Sequence, residues 1–398
     1  MEYLFEHQRR LLQRVTLNFV RMMIDQIDWS LRLISLKGPR GVGKTTIILQ
    51  HIKSVFGVNT TEALYMDLDD TYFLDHNLMD TVKTFYQQGG KYLFLDEVHK
   101  YPNWSRYVKN IYDSYPNLHT VITGSSLLQI LNADADLSRR CVTYDMQGLS
   151  FREYLEFIHD IKLDKHDLQD LLTHANEIAL TVNEKIRPLK YFKTYMNQGY
   201  YPFVKESVTS YGQKVQNIAN LILNIELPQL RGVEVGSIRK LRTLLNILAC
   251  EVPMTVDINK LATLTGMTRG TVLTYLQHLC SAKLIRLLYS DEESVKKMQK
   301  PDKILLDNTN VIYALTSHEP NIGTQREIFF CNQVGYQHQV EYHHKADFKI
   351  DGQYVVEVGG ADKEGKQIAG IGNSFIAADD IEYAVGNKIP LYLFGLLY

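Results

Sequence analysis

Cysteine is scarce in this chain: four residues in 398, at Cys141, Cys250, Cys280 and Cys331. They lie far apart and form no C-x-x-C pair, so they read as reduced core thiols of a cytoplasmic protein rather than as a disulfide framework. Long apolar runs are missing too. Nothing approaches the ~20 residues that span a bilayer, and the opening Met1–Arg10 lacks the apolar stretch of a secretory signal. No membrane partner is expected. The formal net charge is only −2, so bulk electrostatics do not advertise nucleic acid, and any basic surface must be local. There is no internal repeat, no low-complexity segment and no long Pro/Ser/Gly linker. His338, His343 and His344, near Cys331, lack the spacing of a metal site. What remains is an ordinary globular composition, 45% hydrophobic and 22% charged, long enough for two or three domains with their own cores.

Against that background one run stands out: Gly38-Pro39-Arg40-Gly41-Val42-Gly43-Lys44-Thr45. It fits G-x-x-x-x-G-K-[ST], the phosphate-binding loop. Its flanks fit as well. Leu31–Lys37 is a short apolar strand candidate, and Thr46 onward has the composition of a helix facing a sheet. Strand, glycine loop and helix N-terminus together make an anion site, because loop N–H groups point at phosphate oxygens and the helix dipole favours negative charge. Lys44 would reach the β- and γ-phosphates of ATP, and Thr45 would place its hydroxyl on Mg²⁺.

Short apolar segments alternate with helical ones through the first part of the chain, as in α/β domains. Strands are predicted at Leu31–Lys37, Ala63–Asp67, Tyr92–Asp96, Leu118–Thr123 and Cys141–Tyr144. Helices are predicted at Thr45–Phe56, Asn77–Gln88 and Trp104–Tyr115, with Gly89-Gly90 stopping the second. From Leu149 to about Gly236 the pattern is helical and charged. Ile238–Leu306 reads as three helices and a hairpin, and Asp307–Tyr398 mixes strands and helices.

Binding phosphate is not hydrolysis. The strand Tyr92–Asp96 ends in two carboxylates. At the C-terminal edge of a parallel sheet, Asp96 would hold Mg²⁺ through water, and Glu97 would orient the attacking water. The strand ending Val121-Ile-Thr-Gly-Ser125 offers Ser125 either as a contact to that water or the γ-phosphate or as a cap of the following helix. Arg139 and Arg140 follow an acidic loop. An arginine placed against a neighbour's γ-phosphate, in a finger or sensor role, stabilises transition-state charge; a surface pair is the alternative.

Taken together, Leu95–Trp104, Ile122-Thr-Gly-Ser-Ser-Leu-Leu128 and Leu149-Ser-Phe-Arg-Glu-Tyr154 resemble a family of prokaryotic AAA-type ATPases. In that family a winged helix and a degenerate nuclease-like domain follow the ATPase domain. The resemblance covers nearly the whole chain. It implies ATP binding by Gly38–Thr46, magnesium binding and hydrolysis by Asp96 and Glu97, and a sensing polar residue near Ser125. Where the family has a small residue and one arginine, this chain has Arg139-Arg140; Arg140 is the candidate finger, with Arg139 the alternative. The implied domains are an AAA-type P-loop domain at 1–148, a helical lid at 149–237, a winged helix-turn-helix at 238–306 and a PD-(D/E)XK nuclease-like domain at 307–398.

In the winged-helix segment, Leu241, Leu244, Leu245 and Leu248 mark one helical face. Thr268 opens the candidate recognition helix. Thr268, Arg269, Thr271 and Tyr275 would face DNA, with Lys296, Lys297, Lys300 and Lys303 along the wing. Asp291, Glu292 and Glu293 offset that charge, and such modules also dock proteins, so DNA, a protein partner and a second copy all stay open. In the last segment Glu327, Asp347 and Glu357 resemble the nuclease carboxylates, but Gly359 stands where the lysine belongs, and Lys363 in the next loop is the candidate substitute. The expected function is ATP hydrolysis driving a conformational switch. The alternatives are a nucleotide-gated DNA-binding or regulatory module and an ATP-dependent nuclease.

Overall fold

The computed structural model describes residues 1–125, 137, 139–251, 256–290, 300–316 and 320–398. Two units follow one another along the chain, Met1–Gln147 and Gly148–Tyr398.

The first unit opens with helix α1 (Glu2–Arg14) and the short α2 (Met23–Gln26). Then come β1 (Leu33–Gly38), α3 (Lys44–Phe56), β2 (Ala63–Asp67), α4 (Tyr72–Asp75), α5 (Leu78–Gln87), β3 (Tyr92–Asp96), α6 (Trp104–Ser114), β4 (His119–Ser125) and β5 (Val142–Asp145). The five strands form one sheet in the order β2-β3-β4-β1-β5, and every pairing is parallel. The predicted strands are therefore present, two with their predicted ends and three with ends shifted by one or two residues. β1 to β4 are buried almost throughout, and strands covered on both faces read as continuous apolar runs, which is why they were visible; the edge strand β5 is largely exposed. Leu33, Leu64, Leu93, Leu95 and Ile122 pack with Phe85, Val108 and Ile111 from the helices. Helix α1 was not anticipated. It buries Leu4, Gln8 and Leu12, and Gln8 is fastened to β2 at both ends of its amide: it donates to Ala63 O at 3.1 Å and accepts from Tyr65 N at 2.6 Å.

The order matters more than the count. β4 lies between β1 and β3, so the loop after β1 and the carboxylates after β3 face each other across the end of β4. Gly38 is in register with Ser125, and Asp67 with Asp96. All these residues stand at the C-terminal edge of the sheet, where α/β proteins bind ligands.

The second unit starts with helices. Ser150 and Glu153 form a capping box on Phe151–His159, which terminates the extended entry and starts the helix by satisfying both ends reciprocally. Helices Leu168–Lys185, Pro188–Gln198 and Tyr211–Leu221 follow. Then come Ile238–Glu251, Ile258–Thr265 and Arg269–Ser281, and an antiparallel pair, β6 (Ile285–Leu288) and β7 (Lys303–Leu306). Thr268 caps the third of these helices by accepting from Thr271 N at 3.2 Å. Beyond helix Ile322–Val334 lies a second sheet. It is formed by β8 (Val340–Tyr342), β9 (Phe348–Ile350), β10 (Tyr354–Gly359), β11 (Ser374–Ala378) and β12 (Lys388–Pro390) in the order β12-β11-β10-β9-β8.

Candidate active site

Backbone conformation prepares the phosphate loop. Gly43 has φ 99° immediately before α3, a left-handed geometry that a side chain resists. Gly38 is held differently: a Cβ there would lie 2.2 Å from Met146 O. That carbonyl cannot withdraw easily, because Met146 N donates to Lys37 O at 2.8 Å. The loop is also tied from outside. Arg21, nearly buried, donates to Val42 O and to Gln147 O, each at 3.0 Å.

Lys44 is buried, and its Nζ donates to Gly38 O and Pro39 O, both at 2.9 Å. The ammonium therefore sits inside the loop that would receive phosphate. Thr45 Oγ1 donates to Asp96 Oδ2 at 2.6 Å. The second residue of α3 and the last residue of β3 thus meet directly, 51 residues apart. Thr46, the remaining residue of the predicted loop set, is exposed.

Asp96 is 2% exposed and heavily satisfied, as a buried carboxylate must be. Tyr65 Oη donates to its Oδ2 at 2.8 Å. Thr123 Oγ1 donates to Oδ1 in a short bond, and Glu97 N donates to the same oxygen at 3.1 Å. Burial, followed by the charge of Asp96, holds the Tyr65 phenol far above its ordinary range, so it remains a donor. Asp67, at the end of β2, joins the cluster. Burial pushes its carboxyl up to about 6, and the charges of Asp96 and Glu97 add to the effect.

Glu97 departs from the strand. Its φ of 50° and ψ of 42° are left-handed, uncommon for a residue with a Cβ and costing roughly 1–2 kcal/mol. The kink turns its side chain back over the phosphate loop. Arg40 Nη2 lies 3.5 Å from Glu97 Oε2, and His99 Nε2 lies 3.4 Å from the same oxygen.

The structure brings Gly38–Thr46, Asp96, Glu97 and Ser125 to one edge. Ser125 is buried opposite Gly38; the segment after it, including Ser126, lies outside the described residues. Arg140 is elsewhere. It precedes β5, whose Val142 pairs with Ile34 near the start of β1. Four residues of strand separate that level from Gly38, roughly 13 Å. Its Nε instead lies 3.1 Å from Asp113 Oδ1. The start of β5 is at the edge opposite the phosphate loop, so Arg140 does not serve its own chain's loop; a finger toward a neighbouring copy's γ-phosphate stays a proposal. Arg139 beside it is exposed. Sequence reasoning missed Tyr65, Asp67, His99 and Thr123. The alternation of β4 could have found Thr123, since Thr123 and Ser125 share a face.

A hydroxyl and a carboxylate within hydrogen-bond reach of each other suit Mg²⁺, a hard cation that takes one or two protein oxygens and keeps several waters. Thr45 and Asp96 fit that requirement.

In the second unit, Lys303 is not a wing residue reaching for phosphate. It is buried, with Nζ 2.7 Å from Glu327 Oε2 and 3.3 Å from Asp347 Oδ1. Burial opposes its charge, but these two carboxylates outweigh that and hold its ammonium above the ordinary range. Burial likewise raises the Glu327 carboxyl. Asp347 Oδ2 accepts from Val358 N at 2.8 Å. Lys363 Nζ lies 2.8 Å from Glu357 Oε1, and its stem crosses the space a Cβ at Gly359 would take. Among the described residues no group of three or more acidic, histidine or cysteine side chains is arranged to hold a metal. Lys296 and Lys297, with Asp291, Glu292 and Glu293, lie outside the described residues.

Residues 30–155 match the family described as AAA domain. The phosphate loop and the acidic end of β3 lie within that match. Residues 189–322 match a domain of unknown function. Two uncharacterized proteins of Methanocaldococcus jannaschii are similar. One is 26% identical over 370 residues, covering 84% of this chain and 77% of its own length. The other is 25% identical over 292 residues, covering 68% and 59%. The solved structure of PCH-2 from C. elegans aligns with a TM-score of 0.25 and 14% identity, covering 44% of this chain and 46% of that one. No helix among the described residues is long and apolar enough to cross a membrane.

Proposed function

We propose that the chain is a magnesium-dependent ATPase whose cycle switches the conformation of its C-terminal segment. One observation carries the reading: Thr45 of the phosphate loop is bonded to Asp96, while the next residue, Glu97, is bent back over that loop. Two oxygens for a cation and one carboxylate for a water then stand side by side. On ATP binding, Lys44 exchanges the carbonyls of Gly38 and Pro39 for phosphate oxygens, and the N–H groups opening α3 take the remaining negative charge. Mg²⁺ held by Thr45 and Asp96 would neutralise charge on the β- and γ-phosphates. Glu97 orients the attacking water and accepts its proton. Ser125, opposite Gly38, would contact the γ-phosphate.

The test is Glu97→Gln. Phosphate release should stop while MgATP binding persists, because the amide keeps the shape but is a poor proton acceptor. Release at the wild-type rate sinks the reading. Within the same proposal, the helices between Ile238 and Ser281 with the β6–β7 hairpin form a winged helix that docks a partner, and the cytoplasm is the compartment. Exposed Thr268 and Arg269 favour DNA as that partner. Binding should then weaken steeply with salt, and affinity that ignores salt would exclude it. Residues 307–398 would be a nuclease-like module used for docking rather than cleavage.

A further inference from the structure

The turn Val98–Lys100 directly follows Glu97. Its central residue, His99, is 3% exposed in its side chain, deep enough that an imidazole requires polar company. Glu97 Oε2 lies 3.4 Å from its Nε2, close but without a hydrogen bond closed at that oxygen. Arg40 approaches the same oxygen from the phosphate loop. The glutamate backbone is fixed separately: its N–H donates to Asp96 Oδ1 and to Thr123 Oγ1, each at 3.1 Å. So the main chain of Glu97 is held by β3 and β4, while its carboxylate is flanked by one group in the following turn and one group in the loop. These two holders differ in kind. Arg40 belongs to the loop that must embrace phosphate and is exposed by about a quarter. His99 is walled in.

We propose that His99 is a positioning residue for the water-activating carboxylate. It keeps Glu97 aimed at the γ-phosphate when nucleotide draws Arg40 away. The proposal rests on the role given to Glu97 above. A reacting group misplaced by about 1 Å can lose roughly 10²-fold in rate, so the signature is a loss in kcat without a matching loss in binding.

The experiment measures kcat, KM and MgATP affinity in the full chain for His99→Phe, His99→Gln and Glu97→Gln. Phenylalanine fills the ring's space without a nitrogen; glutamine restores a donor. His99→Phe should lower kcat by about 10- to 100-fold with KM within about twofold, as expected for an interaction that matters only at the transition state. His99→Gln should recover most of the loss. In the double variant, His99→Phe should slow Glu97→Gln no further, because both act through one carboxylate. If His99→Phe turns over at the wild-type rate while Glu97→Gln is silent, the ring is only packing and this inference falls alone. If His99→Gln is as slow as His99→Phe although both bind MgATP normally, the donor is irrelevant and the inference falls likewise. If Glu97→Gln itself hydrolyses normally, the ATPase reading falls and takes the inference with it.

Discussion

Lys44 has two lives, and replacing it with alanine should expose both. Without nucleotide its ammonium holds Gly38 O and Pro39 O at 2.9 Å each. Hydrogen bonds from a charged donor contribute about 1.5–3 kcal/mol each. Ordering a lysine costs up to about 2 kcal/mol in side-chain entropy. Water entering the space left by the side chain will re-satisfy part of what the carbonyls lose. The net loss of stability in Lys44→Ala should therefore be only about 1–3 kcal/mol. Nucleotide affinity follows a different sum. The lysine contributes the difference between binding phosphate oxygens and binding two neutral carbonyls, since it must release one to hold the other. Taking that difference as about 3 kcal/mol gives roughly a hundredfold loss of ATP affinity. Arg40 would meet the phosphate in both proteins, so it does not offset the loss. Equilibrium titration with a fluorescent ATP analogue measures the affinity, and urea unfolding of the same samples measures the stability. ATP affinity within threefold of wild type would refute the reasoning, whatever happened to stability.

Asp67→Asn should raise stability near pH 7. The native carboxyl is pushed up to about 6 from an unfolded value near ~3.9, so the folded state holds its proton more tightly and stability falls as pH rises through roughly 4 to 6. After allowance for solvent screening the gain should be about 1–2 kcal/mol above pH 7 and nothing below pH 4; unfolding curves with no pH-dependent difference would refute it. Lys303→Ala should destabilise the second unit by roughly 3 kcal/mol, because it leaves two largely buried carboxylates facing each other; an unchanged denaturation midpoint would refute that. The wild-type chain should cut neither linear nor single-stranded DNA with Mg²⁺ or Mn²⁺, since lysines occupy all three carboxylates; cleavage that vanishes in Asp347→Ala would overturn this.

What was legible in the sequence was local. The phosphate loop, its strand and its helix are contiguous, and Asp96-Glu97 close an apolar run, so pattern alone identified them. Tyr65, Asp67 and Thr123 reach the site through sheet order and register, which no short window carries. His99 was invisible for another reason: its depth depends on how the turn after β3 folds back. Lys303 shows the opposite error. Lys296, Lys297, Lys300 and Lys303 look alike as a basic stretch, but the last begins a buried strand and meets two acids more than 20 residues further on. Arg140 stands away from its own chain's loop because a sheet has two edges, and reading a strand without its direction does not say which edge a neighbouring residue occupies. Helix α1 escaped because its buried stripe is broken by Gln8, whose amide fastens β2 rather than filling the core.

The place of β4 also sets an order of assembly. A nascent chain ending at residue 115 already has its phosphate loop, its α3 and its acidic strand. Yet β1 and β3 are next-but-one neighbours, about 10 Å apart at ordinary strand spacing, and the slot between them is empty until residues 119–125 arrive. Only then does β1 acquire a partner in β4, and only then does Thr123 reach Asp96 and the amide of Glu97. The two halves of the site are thus made early and kept apart. The site is complete only once about a third of the chain, through residue 125, has been made.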